Sequence, residues 1–496
     1  MRIAFVTPEL QPLVRRTNLA ETVDSLARTL RRAGHDARVI TPFTKDVKAA
    51  GLLSLKDLGR VRVPSDLGEV TLSVFSADVD GLPVILIDEE RLFRSRHPYG
   101  DENGPYADNW RRFAVFARAV LECLPLLDFK PDVLHCMDWT TGLIPVYREL
   151  EYLNQHPDHP ASKAGIYFGI TNLAMQGSFE REVLPKLNLP PSIFQNVHGI
   201  EHGGLINFLK AGAEFATVIG ANSPSMALRI QQQDRGYGLE ETFQRRRKEL
   251  VGVTNGIDYN TWDPSNDPLL AQTYSVKDRE LNGKRRNKAN LQRALKLDNG
   301  PRTPVAAVIG RFDADTGFDL LAEIMTAVLE RTFQVVMLGT GQQEILERIK
   351  TIEGTFPGRC RLIDGYHVQT AHMLLGGADI LMLPSHHQPS NALCAIGMRY
   401  GTVPLIYEHS GLEDTVDSPT DSPRGFTGMT FQRYNGEGLL EGLDEVRKLY
   451  KSADDWRKLA LRCMKQDFSW EQTGEEYVKA YRRVTRRVKA QLAEEE

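Results

Sequence analysis

MRIAFVTPEL, residues 1–10, with the apolar ladder that follows it at Leu19, Val23, Leu26 and Leu30, decides the fold class. Ile3 to Val6 is a short apolar run and reads as a buried strand. The ladder steps by 4, 3 and 4 residues, which places its members on one face of a helix. Gly34 is placed to end that helix, and Val39-Ile40 opens a second strand. The chain therefore starts as a βαβ unit.

The alternation continues. Asp132 to Leu134, Ile166 to Ile170 and Val218-Ile219 are strand candidates, which implies a parallel sheet covered by helices on both faces. A second set begins near residue 304. Val305 to Ile309, Gln334 to Leu338, Ala378 to Leu383 and Val403 to Ile406 read as strands, and Asp319 to Arg331 as a helix. Between the sets, Asp258 to Asn299 is polar and irregular, and Trp262, Asp263 and Pro264 suggest a loop. The expected organisation is an N-terminal domain over 1–250, a C-terminal domain over 251–469, and a charged tail helix over 470–496. The tail carries Tyr477, Tyr481 and Val484 on one side. Two doubly wound α/β domains imply a central cleft, with ligands at the carboxyl ends of the strands.

Composition excludes several classes. At 496 residues one core is too small a prior, and a net charge of −4 with scattered basic residues leaves no footprint for nucleic acid or an anionic membrane. No apolar run approaches the roughly 20 residues that span a bilayer. The apolar run at the N-terminus is too short for a signal peptide. The cysteines, Cys123, Cys136, Cys360, Cys394 and Cys463, are odd in number and form no C-x-x-C pair. They read as reduced, mostly buried thiols of a cytoplasmic protein. His386-His387 has no partners at ligand spacing, so no metal site is expected.

The candidate chemistry sits in loops after strands. The first is Pro8 to Glu21, with Arg15, Arg16, Thr17 and Asn18 before a helix N-terminus that favours anions. The others are HCMDWTTGL (135–143), FGITNLAMQG (168–177), GRFDADTGFD (310–319) and PSHHQPSNALCAIGMRYG (384–401). Asp138 can accept from sugar hydroxyls or cap the helix that follows it. Together with FLKAG (208–212), NSPSMA (222–227), TNGIDYNTWDP (254–264) and DGYHVQTAHMLLGGADILMLPS (364–385), these segments resemble the bacterial glycogen synthases and plant starch synthases. The resemblance runs from residue 1 to about 475.

That resemblance implies a GT-B fold, ADP-glucose as donor, an α-glucan acceptor, no cofactor, and a tail helix that returns to the N-terminal domain. It also shows where this chain departs. The family's K-T-G-G loop becomes Arg15-Arg16-Thr17-Asn18, which keeps a charge and loses both glycines. Thr171 stands where the family has a histidine that orients the glucosyl group, and only its backbone carbonyl still faces the anomeric centre by analogy. Arg311 is retained, but the lysine that joins it at the donor diphosphate becomes Thr316. The family's E-P-C-G becomes Gln388, Pro389, Ser390 and Asn391, so the glutamate near the developing oxocarbenium ion loses its charge.

The site residues implied by the resemblance are Asp138, Thr171, Arg311 and Gln388 for catalysis. For the nucleotide sugar they are Arg15, Thr17, Asn18, Arg311, Thr316, Gly341, Ser390 and Asn391. For sugar and acceptor they are Tyr99, Asp138 and Asn172. Whether Arg16 or the His386-His387 pair stands in for the lost lysine is left open. The leading expectation is a pseudoenzyme that has lost most ADP-glucose-dependent α-1,4-glucosyl transfer. Such a chain would act by binding glucan, or by regulating a protein partner of glycogen metabolism. The competing expectation is an active retaining glycosyltransferase, using ADP-glucose or a changed donor.

Overall fold

The computed structural model describes residues 1–51, 54–153, 155–233, 235–313, 316–386 and 390–495. The chain divides into two compact units, Met1–Thr254 with Trp470–Glu496, and Asn255–Ser469.

In the first unit, β1 (Arg2–Val6) is the centre of a nine-stranded sheet. Its parallel neighbours are β2 (Asp36–Pro42) and β6 (Val133–Met137). The other strands are β3 (Lys56–Ser65), β4 (Gly68–Val79), β5 (Leu82–Asp88), β7 (Gly165–Ile170), β8 (Val218–Ala221) and β9 (Leu250–Gly252). The order is β9-β8-β7-β6-β1-β2-β5-β4-β3, with β3 and β4 antiparallel at one edge. The apolar run of β1 is continuous because both of its faces are covered. Ile3 and Phe5 join one core and Ala4 and Val6 the other. Helix α1 (Leu19–Arg32) lays Leu19, Val23, Leu26 and Leu30 on the Ile3–Phe5 face. Each such burial contributes about 1.5–3 kcal/mol. The tail helix Trp470–Glu495 adds Tyr477, Tyr481 and Val484 to the same core.

The second unit is a six-stranded, wholly parallel sheet. Its strands are β10 (Val305–Phe312), β11 (Gln334–Gly341), β12 (Cys360–Asp364), β13 (Ile380–Leu383), β14 (Val403–Tyr407) and β15 (Met429–Phe431). The order β12-β11-β10-β13-β14-β15 reverses between β10 and β13, the switch point of a doubly wound sheet.

One expectation is corrected here. The polar stretch 258–299 contains a helix, Asn282–Ala294. Its buried side is largely polar, so an apolar period was absent. Buried Lys284 donates to the carbonyl of Tyr400 at 2.9 Å and to Thr402 Oγ1 at 2.8 Å. Lys288 pairs with Asp379 at 2.7 Å. Long amphipathic side chains thus do the packing that leucines usually do. The five cysteines are unpaired and buried.

Candidate functional site

In the first unit the loops after β1, β6 and β7 carry the candidate residues, apart from Tyr99, which lies in the connection after β5. Asp138 follows β6 with φ +55°, a region unusual for a residue with a side chain. It makes no side-chain cap to the turn Trp139–Thr141. Its carboxylate reaches sideways to the end of β7 instead. Oδ1 accepts from Thr171 N at 2.7 Å and Asn172 N at 3.4 Å, and Oδ2 accepts from Thr171 Oγ1. Burial pushes the Asp138 carboxyl up to about 6, and these donors only partly oppose it. The carbonyl of Thr171 is also engaged, accepting from Asn222 Nδ2 at 3.1 Å. Asn172 lies exposed, with its Oδ1 accepting from Ala174 N at 2.9 Å.

A second cluster centres on Glu9, which the sequence reading missed. Glu9 is fully buried just beyond β1. Its Oε2 accepts from Arg16 N and Thr17 N, both at 2.7 Å. Its Oε1 accepts from Thr17 Oγ1 at 3.0 Å and from Tyr99 Oη at 2.6 Å. Burial first, then the neighbouring Glu9 charge, pushes the Tyr99 phenol well up. The charge of Glu9 also contributes to raising Asp138, so the two clusters adjoin. Arg15 is exposed and pairs with Glu21 at 3.1 Å. Arg16 pairs with Asp46 at 2.6 Å and meets His97 Nδ1 at 3.1 Å. Asn18 sits at the N-cap of α1 without a side-chain cap bond.

In the second unit Arg311 stands at the carboxyl end of β10 with its side chain 74% exposed. Its Nε and Nη2 both donate to Asp313 Oδ2, at 2.8 and 2.5 Å. Thr316 closes the same loop. Its Oγ1 donates toward the carbonyl of Arg311 at 2.5 Å and lies 2.9 Å from Asp313 Oδ1, while its N–H donates to that oxygen at 3.1 Å. Burial pushes Asp313 up, but the bonds from Arg311 and Thr316 outweigh it and hold the carboxyl below its ordinary range. Gly341 ends β11, exposed, in register with Phe312. Ser390 Oγ accepts from Ala392 N at 3.3 Å, and buried Asn391 donates to the carbonyl of Asn255 at 3.0 Å. His386 stacks on Tyr407 with centroids 5.7 Å apart. Gln388, Pro389 and His387 lie outside the described residues.

The structure thus brings Asp138, Thr171 and Asn172 into one set, Tyr99 and Thr17 into another around Glu9, and Arg311 with Thr316 into a third around Asp313. Glu9 and Asp313 are the two organisers that motif reading did not find; their only signal is a carboxylate just past a strand end. Among the described residues no group of His, Cys, Asp and Glu is placed to hold a metal ion. No described helix is long and apolar enough to cross a membrane.

Residues 2–245 match the starch synthase catalytic domain family. A glycogen synthase of Geotalea uraniireducens is 36% identical over 483 residues, spanning 97% of this chain and 98% of its own length. Glycogen synthase 2 of Geobacter sulfurreducens is 34% identical over 489 residues, with 97% and 98% covered. Among solved structures, the catalytic domain of starch synthase IV from Arabidopsis thaliana, bound to ADP and acarbose, superposes with a TM-score of 0.83 at 28% identity. That superposition covers 98% of this chain and 99% of that one. Sucrose-phosphate synthase from Thermosynechococcus elongatus shares the fold alone, with a TM-score of 0.58 at 14% identity over 97% and 98% of the two chains.

Proposed function

Because this chain belongs to the family of glycogen and starch synthases, with their GT-B fold, we propose that it is a homologue with strongly reduced glucosyl transfer that works by binding α-glucan. The observation that carries this reading is the closure of Asp138 by Thr171. A hydroxyl stands where the family has an imidazole, and it adds a side-chain bond to a carboxylate that the Thr171 and Asn172 amides already hold. Thr316 does the same in the second unit, using the lysine's position to tie a loop around Asp313. Transfer from ADP-glucose rests on preorganised charges around the departing diphosphate and the developing cation. Loss of one such group typically costs roughly 10²–10³ in rate, and losses within one site are not additive. The setting we assign is cytoplasmic, with glycogen as the partner and ADP-glucose as the donor still recognised weakly through Arg311.

The deciding experiment is transfer of labelled glucose from ADP-glucose to glycogen, with Arg311→Ala as control, beside co-sedimentation of the protein with glycogen. Co-sedimentation without transfer above the control is the expected result. Transfer abolished by Arg311→Ala would establish the second reading, a working glycosyltransferase. That reading draws on one observation, the open presentation of Arg311 at the switch point of its sheet. A thermal-shift screen of nucleotide sugars would then identify the donor.

A further inference from the structure

Arg16 is held at both ends. Its backbone N–H donates to Glu9, and its guanidinium pairs with Asp46 at 2.6 Å. Asp46 in turn takes His97 Nδ1 at 2.7 Å. Two residues on, Tyr99 returns its hydroxyl to Glu9 at 2.6 Å. The contacts close a ring: Glu9, Arg16, Asp46, His97, Tyr99, Glu9. Arg112, 1% exposed, fixes the His97–Tyr99 side of that ring. It donates to the carbonyls of His97 at 2.8 Å and Pro98 at 2.9 Å. Burial pushes the Asp46 carboxyl up, but the bonds from His97 and Arg16 more than offset that and hold it low, so Asp46 keeps its charge.

Two successive amides converging on one anionic oxygen is the geometry of a backbone anion site. Here the anion is internal. A fully buried carboxylate with four donors has no reason to leave, since each bond to a charged acceptor is among the stronger kind. The Arg16 and Thr17 amides therefore shape the loop rather than receive a ligand. Whatever the loop presents, it presents in the position Glu9 dictates, and the same carboxylate dictates where Tyr99 stands.

We propose that Glu9 is a positioning residue that mechanically couples the loop 15–18 to Tyr99, so that the nucleotide-facing and sugar-facing parts of the first unit move as one. Its ligand arm rests on the function proposed above; its exchange arm does not. The exchange arm is amide hydrogen exchange on the unliganded full-length protein. Glu9→Ala and Tyr99→Phe should each speed exchange in the segment 13–20 by about tenfold or more. Glu9→Gln, which keeps an acceptor for the two amides, should restore most of the protection. Protection unchanged in Tyr99→Phe would overturn the coupling, and that variant keeps the test decisive if Glu9→Ala fails to fold.

The ligand arm is ADP binding by calorimetry. Tyr99→Phe should weaken ADP several-fold in the wild-type background and not in the Glu9→Ala background, because coupled residues are non-additive. Equal effects in both backgrounds would mean that Tyr99 acts independently, and the proposal fails. No ADP binding by any variant counts against the nucleotide recognition proposed above, and exchange alone then decides the coupling.

Discussion

Asp138 carries a buried carboxylate, and its titration should be visible in the stability of the protein. Burial raises its folded value from 3.8 to about 6. Between those values the folded chain binds more protons than the unfolded chain. Stability from this group is therefore greatest in acid, falls as pH rises through that window, and is flat above it. The gap corresponds to roughly 3 kcal/mol at most. Asp138→Asn removes the charge and keeps an acceptor for Thr171 N. In urea unfolding the variant should lose this part of the pH dependence and match or exceed the wild type near neutral pH. A variant with an unchanged slope between about pH 4 and pH 6 would show that Asp138 is not the group responsible. Thr171→Val makes the opposite change. It leaves the buried carboxylate without its hydroxyl donor and should destabilise by about 1–3 kcal/mol at neutral pH. A loss within error of zero would mean that the hydroxyl contributes nothing to holding Asp138.

Between strand and helix, the connection after β10 depends on one backbone conformation. Gly317 has φ +75°, and a Cβ there would lie 2.2 Å from the carbonyl oxygen of Pro384. Gly317→Ala combines left-handed strain with a backbone clash, and we expect a loss of roughly 2–4 kcal/mol in chemical denaturation. A loss under about 0.5 kcal/mol would mean that the β10 and β13 loops do not pack as described. Elements of this kind were unevenly legible in the sequence. The strands at Ile3–Val6, Val305–Ile309 and Ile166–Ile170 announced themselves because a strand covered on both faces must be apolar throughout. Helix Asn282–Ala294 did not, because Lys284 and Lys288 bury their stems and satisfy their charges on carbonyls and on Asp379. The site was legible as positions: Asp138 and Thr171 directly follow strands, and Arg311 stands at the carboxyl end of one. Their partners were not legible. Whether a threonine faces a ligand or folds back onto Asp138 depends on a neighbour 33 residues away, and no spacing rule carries that.

At the scale of the whole chain, the second unit is a segment inserted between two pieces of the first. Its own ends meet: Ile257 N donates to the carbonyl of Phe468 at 2.8 Å, and Ile257 pairs with Ser469. A cut at those ends removes nothing from its core. The first unit differs. Its tail helix buries Trp470, Tyr477, Tyr481, Val484 and Val488, and the Tyr481 hydroxyl lies 2.7 Å from Nδ1 of buried His135. Gly165 makes room for the approach, since a Cβ there would stand 2.3 Å from Val484 Cγ1. At about 1.5–3 kcal/mol per buried large side chain, those five side chains account for a sum comparable to the roughly 5–15 kcal/mol that holds a whole domain together. The expected outcome is asymmetric. Residues 255–469 expressed alone should unfold cooperatively in urea. Residues 1–254 alone should lack near-UV circular dichroism and a sharp transition, and should regain both when a peptide of residues 470–496 is added. A sharp transition in 1–254 without that peptide would mean that the first unit's core is complete without the tail helix, and that the chain's two ends are joined for a reason other than stability.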